Sequence, residues 1–183
     1  MSSTPSRKKA LLIASSLFLT GIAFASLFSG GLAFTNQEEF CTSCHTMQTP
    51  FRELQESAHY RNASGVGATC ADCHVPQAFL PKLLAKAIAA KDVYHELAGT
   101  IDTPEKFEAR RWEMASRVWA RMEATNSREC RSCHDFRHMD LTEQDRSARS
   151  KHGNAEDKGQ TCIDCHKGVA HEEPDAPEDT EPG

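Results

Sequence analysis

The hydrophobic and polar positions divide the chain into one long apolar segment and a mostly polar remainder. Residues 10–34 contain no charged side chain and consist of Ala, Leu, Ile and Phe with a few Ser, Thr and Gly. Such a segment is long enough to cross about 30 Å of hydrocarbon as a tilted helix. Basic residues precede it and two glutamates, Glu38 and Glu39, follow it. This charge pattern places the N-terminus, residues 1–9, in the cytoplasm and the rest outside.

A cleaved signal peptide is the alternative interpretation of this segment. The sequence Ala-Phe-Ala at positions 23–25, before Ser26, resembles a small-residue cleavage site. The apolar character nevertheless continues through Leu32 and Phe34, beyond the length of an ordinary signal core. The pattern therefore favours a retained transmembrane anchor over residues 10–34.

Two later segments have helical character. Residues 81–98 are rich in Ala, Leu and Lys, with a proline in the first turn and Gly99 just beyond the end. A second helix is predicted to begin after Thr103 as N-cap, with Pro104 in the first helical position, and to run without a break to about residue 124. Its apolar positions near one face are Phe107, Met114, Val118 and Met122. The acidic, proline-rich residues 172–183 predict a disordered tail.

All eight cysteines belong to four copies of the pattern C-x-x-C-H. Two thioethers at this spacing hold one porphyrin edge, and the adjacent histidine then lies at the iron. A zinc site or a disulfide framework would not require a histidine after each pair. The pattern therefore predicts four covalently attached c-type haems. The cysteines are Cys41, Cys44, Cys70, Cys73, Cys130, Cys133, Cys162 and Cys165, and the motif histidines are His45, His74, His134 and His166.

The extramembrane sequence is duplicated, and the duplication selects further histidines. Both halves have the order C-x-S-C-H, S-x-H, G-x-T-C-x-D-C-H, which makes His59 and His152 equivalent candidates for distal iron ligands. His171 is a third candidate, whereas His95 and His138 have no repeat partner and are expected not to bind iron. We therefore expect a mostly α fold, with a single N-terminal transmembrane helix followed by a compact tetrahaem c-type cytochrome domain, residues 35–171, built from two duplicated dihaem units.

These motifs resemble those of the NapC/NirT family of membrane-anchored tetrahaem cytochromes c. The resemblance extends from the anchor to about His171 and is most specific in CTSCHTM at 41–47, CADCHVP at 70–76, GTIDTPEKFEARR at 99–111, VWARMEATNSRECRSCH at 118–134 and TCIDCHKGVAH at 161–171. It implies a quinol dehydrogenase of the inner membrane with its haem domain in the periplasm. Such a protein takes electrons from menaquinol or ubiquinol and passes them to a periplasmic reductase, here nitrate or nitrite reductase.

The resemblance also implies roles for individual residues. Met47 would bind the first iron in place of His45, and the other irons would be shared by His74 with His171, His134 with His59, and His166 with His152. Coordination of all four irons by two histidines each, with His45 on the first, is the alternative. Lys86 and Asp92 are the nearest matches to a lysine and an acid at the quinol. Because Asp92 is one residue out of the family's register, Lys82 and Lys91 remain alternatives for quinol binding.

Charge and size bear on partners and on other functions. The formal net charge is −5, and haem propionates make it more negative. This charge suits a positively charged docking patch on a partner protein, and we expect no binding to nucleic acid. Arg110, Arg117 and Arg121 recur at helical spacing and face either solvent or haem propionates. Two other functions stay open: a soluble periplasmic electron shuttle made by cleavage after Ala25, and a small terminal oxyanion reductase with an open first haem.

Overall fold

All regular secondary structure in the described part of the chain is helical. A computed structural model describes residues 6–177, which confirms the mostly α fold. Residues 1–5 and the second half of the predicted tail, residues 178–183, lie outside the described residues. The α-helices are α1 Arg7–Phe34, α2 Glu38–Cys41, α3 Gln48–Glu56, α4 Cys70–His74, α5 Phe79–Leu97, α6 Pro104–Glu108, α7 Arg111–Ala124, α8 Arg146–Ala155 and α9 Cys162–Cys165. Short 3-10 helices span His45–Met47, Cys130–Ser132, Phe136–His138 and Leu141–Glu143.

Helix α1 stands apart from the other helices and exposes its apolar side chains along its whole length. Within residues 6–177 it is the one helix long and apolar enough to cross a membrane. It ends at Phe34, whose ring packs edge-on against that of Phe40 at a centroid distance of 5.6 Å. Because Phe40 directly precedes Cys41, this contact holds the first haem-binding motif close to the end of the apolar helix.

The predicted helix over residues 81–98 is confirmed as α5, and its end has a specific cause. Gly99 has a φ of +71°, a conformation that glycine adopts without a steric penalty. Its N–H donates to Glu96 O at 3.1 Å, and the N–H of Thr100 donates to His95 O at 2.9 Å. These two bonds form a Schellman motif, which satisfies carbonyl groups at the C-terminus of the helix.

The prediction of one unbroken helix after Thr103 is wrong. Thr103 is the N-cap as expected, since its Oγ1 accepts from the Lys106 N–H at 3.3 Å, but the helix stops at Glu108 and a new one starts at Arg111. Arg110 has a φ of −116°, outside the helical region. The break allows Phe107 to be buried and Arg111 to reach the Glu53 carboxylate at 2.6 Å. These tertiary contacts outweigh local helix propensity.

The side-chain core of the described residues is small. Its buried hydrophobic members are Leu54, Ile101, Phe107, Met122 and Ile163. Two polar residues, Thr46 and Ser127, are buried as deeply. So few apolar residues provide little hydrophobic stabilisation for an extramembrane domain of this length. Bound porphyrins, as the sequence predicts, would supply the missing apolar volume.

Candidate haem sites

The second and fourth haem motifs begin with the same local structure. The carboxylate of Asp72 accepts from the Thr69 N–H at 2.8 Å, and that of Asp164 accepts from the Thr161 N–H at 2.6 Å. Each aspartate thus satisfies a backbone donor at the start of a short helix, α4 or α9, that carries the motif cysteines. The repeated sequence T-C-x-D is therefore a helix-starting unit that presents both thiols of a motif.

The third motif is tied to the fourth through a buried serine. Ser127 Oγ accepts from the backbone N–H of Ile163, in the middle of α9, at 3.1 Å. Ser127 and its neighbour Asn126 both have positive φ values, +46° and +54°. Non-glycine residues adopt this conformation at some energetic cost, which the surrounding structure must offset. The contact with Ile163 fixes the spacing between the third and fourth haem motifs.

The four motifs lie next to one another in chain order. Burial raises the pKa of Cys70 and that of Cys130 to about 11, and a thiol of a neighbouring motif adds to each shift, Cys41 for the former and Cys162 for the latter. Burial also raises the pKa of Cys73, with a further contribution from Cys133. Direct contacts support this order. Helix α2, which ends at the first motif, contacts α4 of the second motif. Cys73 of the second motif lines one cleft with Glu129, which directly precedes the third, and the bond from Ile163 to Ser127 joins the third to the fourth. The haem-binding segments therefore form one continuous series.

Six of the nine histidines occur as three facing pairs. The ring centres of His59 and His134 lie 6.2 Å apart, those of His74 and His171 6.2 Å, and those of His152 and His166 5.9 Å. Two metal–nitrogen bonds of about 2 Å each, plus the distance from each nitrogen to its ring centre, span such a gap. The residues present therefore fit a haem iron between the members of each pair. The pairs are those that the family resemblance implies, and iron ligation itself stays a prediction.

Two of these rings, His171 and His166, have pKa values shifted towards the neutral form. Desolvation lowers the pKa of His171, and it also lowers that of His166, where the neighbouring His152, His134 and His59 add to the shift. A neutral imidazole is the form that binds a metal.

The first motif differs from the other three. His45 is exposed, and within residues 6–177 its ring contacts no other histidine ring. Met47 is partly buried in the same 3-10 helix, His45–Met47. Thr46, between the two candidate ligands, is only 1% exposed, and its hydroxyl donates to Glu96 Oε2 at 2.7 Å. Glu96 is absent from the sequence-based site, since nothing in the pattern of α5 marks it.

The structure brings one of the predicted quinol lysines to this motif. Lys86 Nζ donates to the Thr35 carbonyl oxygen, just past the end of α1, at 2.5 Å. Desolvation lowers the pKa of Lys86. The nearby charge of Lys82 lowers this pKa further, whereas Cys41 acts in the opposite direction. Asp92 and Lys91 are exposed and make no hydrogen bond or ion pair in the described part of the chain. Lys86 and Glu96, rather than Asp92, therefore reach the first haem motif from α5.

A cleft of about 390 Å³ opens beside the second motif. Its walls are Cys73 and His74, the apolar side chains Leu80, Leu84 and Ile88 of α5, and Met122 of α7. Apolar walls beside the cysteine and histidine of one motif are what a porphyrin face requires. Of the three arginines considered from the sequence, Arg121 lines this cleft, whereas Arg117 pairs with Glu113 at 3.8 Å on the surface.

The two histidines without a repeat partner lie elsewhere. His95 Nδ1 is 3.0 Å from Thr100 Oγ1 at the end of α5. The His138 side chain is 82% exposed and lies 3.8 Å from Asp135. Neither faces another histidine ring in residues 6–177. That neither of them binds iron stays a prediction.

Comparison with known proteins gives consistent matches over nearly the whole chain. Residues 3–176 match the model of the NapC/NirT cytochrome c family, N-terminal region. A tetraheme cytochrome-c type protein of Allochromatium vinosum is 64% identical over 173 residues, 94% of each chain. The cytochrome c-type protein NapC of Escherichia coli K12 is 52% identical, covering 91% of this chain and 83% of that protein. The denitrification system component NirT of Stutzerimonas stutzeri is 47% identical over 86% and 79%. No solved structure matches the chain.

Proposed function

Because the chain belongs to the NapC/NirT family of cytochromes c and so binds c-type haem, we propose that it is a membrane-anchored quinol dehydrogenase with four haems. It takes electrons from a membrane quinol and delivers them to a reductase in the periplasm. The observation that carries this proposal is the continuous series of haem motifs that starts at Cys41, beside the end of α1. A series that begins at the membrane and leads away from it is the arrangement that an electron relay needs.

The three histidine pairs and the separate first motif support different roles for the haems: three relay electrons, and the first receives them from quinol. The haems supply one-electron redox chemistry. His74 with His171, His134 with His59, and His166 with His152 would each hold one iron between two imidazoles, an arrangement that suits electron relay and not substrate binding. Met47 is the proposed ligand at the first motif, where a thioether raises the reduction potential relative to two imidazoles. The lack of a histidine facing His45 in the described residues agrees with this asymmetry.

Quinol oxidation at the first motif requires a hydrogen-bond donor and a proton acceptor. Each quinol releases two electrons and two protons, and a positioned side chain speeds the proton transfer. Lys86 is the proposed donor to a quinol oxygen, since its Nζ lies at the Thr35 carbonyl group, at the end of α1 and six residues before Cys41. Glu96 joins Asp92 as a candidate acceptor because it contacts the first motif directly. Lys82 and Lys91 remain the secondary candidates on α5.

The outer face of α5 suits the approach of a lipid-soluble substrate. Phe79, Tyr94 and Leu97 recur on one side of the helix and are 58%, 66% and 84% exposed. The bond from Lys86 to Thr35 joins this helix to the end of the apolar α1. An exposed apolar surface next to a membrane-spanning helix offers a route for an isoprenoid tail from the bilayer.

The proposed electron acceptor is a nitrate or nitrite reductase. The similarity to NapC and to a denitrification system component supports this choice. The net charge of −5 favours a partner with a basic docking surface. The second candidate function is that this chain itself reduces a small oxyanion at its first haem. An iron held by one protein ligand would leave a position for such a molecule. Turnover of nitrite with an artificial donor, without a partner protein, would support that candidate.

The test is reduction of the detergent-solubilised protein by menaquinol and ubiquinol analogues in a stopped-flow instrument. We expect quinol to reduce the wild type, and Lys86→Gln to slow this reduction at least about tenfold, because a hydrogen bond from a charged donor contributes about 1.5–3 kcal/mol. Lys158→Gln, at an exposed position outside α5, is the control and should behave as wild type. The proposal fails if dithionite reduces every haem while neither quinol analogue reduces any.

A further inference from the structure

Glu53 connects three segments that are distant in sequence. Its carboxylate lies on α3, and its side chain is 12% exposed, as is that of Arg111. Oε2 accepts from Arg111 Nη2 at 2.6 Å and from the backbone N–H of Glu172 at 3.1 Å. The same Arg111 nitrogen donates to the Glu172 carbonyl oxygen at 2.8 Å. The predicted disordered tail begins at Glu172, but the backbone of Glu172 is held by these two hydrogen bonds.

The residue immediately before Glu172 is His171, whose ring faces that of His74. Oε2 of Glu53 lies 3.7 Å from His171 Nδ1, the nitrogen on the ring edge nearest the carboxylate. This Nδ1 is buried and makes no hydrogen bond in the described structure. The backbone of Pro50, also on α3, is another hydrogen-bonding group near the His171 ring. A buried, unpartnered ring nitrogen beside a partly buried carboxylate indicates that the carboxylate orients the His171 ring.

We propose that Glu53 is a positioning residue for His171: it fixes the backbone at Glu172 and accepts the Nδ1 proton, so that the other ring nitrogen is directed towards His74. A metal-bound histidine commonly gives its second N–H to a carboxylate, which sets the ring orientation and makes the ligand more basic. A more basic ligand stabilises the oxidised iron. Glu53 therefore lowers the reduction potential of the haem held by Cys70 and Cys73.

Arg111 makes the arrangement possible. Its guanidinium donates to Glu53 Oε2 at 2.6 Å and so holds the carboxylate in place beside His171. Arg111 is in turn oriented by Glu108 at 3.2 Å and lies over the Phe107 ring at 5.9 Å. The break between α6 and α7 thus serves the haem site, because it turns Arg111 towards Glu53.

The inference rests on the proposed ligation of one iron by His74 and His171 and is independent of quinol oxidation. The experiment is a potentiometric titration, followed by low-temperature EPR, of the solubilised holoprotein carrying Glu53→Gln or Glu53→Ala. In Glu53→Gln, which keeps the size but not the charge, one low-spin haem should titrate at a higher potential while the other signals stay fixed. In Glu53→Ala the same haem should become partly high-spin, and added imidazole should restore its low-spin signal.

Glu56→Gln is the control, since Glu56 is exposed one turn along α3 and makes no contact in the described residues. It should leave every potential unchanged. If Glu53→Ala does not accumulate with four haems, Glu53→Gln decides alone. Unchanged signals and potentials in Glu53→Gln would overturn the proposal and leave the Pro50 backbone as sufficient support. Chemical mediators set the potential, so a failure of the quinol proposal would not alter this readout. If the wild-type protein shows no bis-histidine EPR signal, the proposed ligation of an iron by His74 and His171 is wrong, and the inference about Glu53 fails with it.

Discussion

Thr46 is the residue where the first haem motif and helix α5 meet. It lies between the two candidate ligands of the first iron, His45 and Met47, and is buried with its hydroxyl on Glu96. Any movement of Glu96 is therefore transmitted to the backbone that carries both ligands. At this motif a single hydrogen bond links the geometry of the iron site to the helix that bears the proposed quinol residues.

Replacing Thr46 by Val tests this link. The change keeps the side-chain shape but leaves the Glu96 carboxylate without its donor, a loss of about 1–3 kcal/mol. We expect the first haem to change its potential and its EPR signal while the three bis-histidine haems do not. Thr49→Val, in the same segment, removes only an exposed contact with Arg52 and is the control. Equal effects of the two substitutions would contradict a specific role for Thr46.

The sequence was a good guide to some residues and no guide to others. The cysteines, the motif histidines and the distal candidates His59, His152 and His171 follow from the repeat and the resemblance. The structure places each distal candidate within about 6 Å of one motif histidine, measured between ring centres. Glu53 and Glu96 could not be predicted. They contact residues 58 and 50 positions away, and a lone glutamate on a polar helix face has no distinguishing pattern.

At the scale of elements, the repeated T-C-x-D sequence explains why two haem motifs share one conformation. The aspartate satisfies the backbone N–H of the threonine at the helix start, in α4 and again in α9. The duplication therefore preserves a folding unit as well as a ligand pattern. The S-x-H element differs in this respect, because His59 follows α3 whereas His152 lies within α8.

Asp72→Ala and Asp164→Ala should each destabilise the holoprotein by about 1 kcal/mol, the usual contribution of a helix-start interaction. Each substitution should lower the midpoint of thermal unfolding without changing the haem content. Asp157→Ala, at an exposed position with no contact in residues 6–177, is the reference substitution. A midpoint equal to that of the reference would show that the aspartates do not stabilise the motifs.

Helix boundaries show where local pattern succeeds and where it fails. The glycine after α5 and the threonine and proline before α6 are local signals, and each acts as predicted. The break between α6 and α7 is different, since no glycine or proline marks it. It arises from the burial of Phe107 and the pairing of Arg111 with Glu53, both of which depend on the folded tertiary structure.

At the scale of the whole molecule, the haems are part of the fold. The five apolar side chains buried within residues 6–177 cannot offset the conformational entropy of ordering the extramembrane chain. We therefore expect protein produced without haem attachment to lose the extramembrane helices and keep α1 in detergent. Far-UV circular dichroism of the haem-free and haem-loaded proteins measures this directly. A haem-free protein with the helical signal and thermal transition of the loaded form would contradict the expectation.

The central claim is that three of the four haem irons are each bound by two histidines, whereas the first haem, next to the membrane, is bound by Met47. Low-temperature EPR during a redox titration of the wild type and of Met47→Ala tests it most directly. The account predicts three bis-histidine signals in both proteins and a fourth haem whose spin state or potential changes when Met47 is removed. Four bis-histidine signals that are identical in the two proteins would contradict it, and would assign His45 to the first iron.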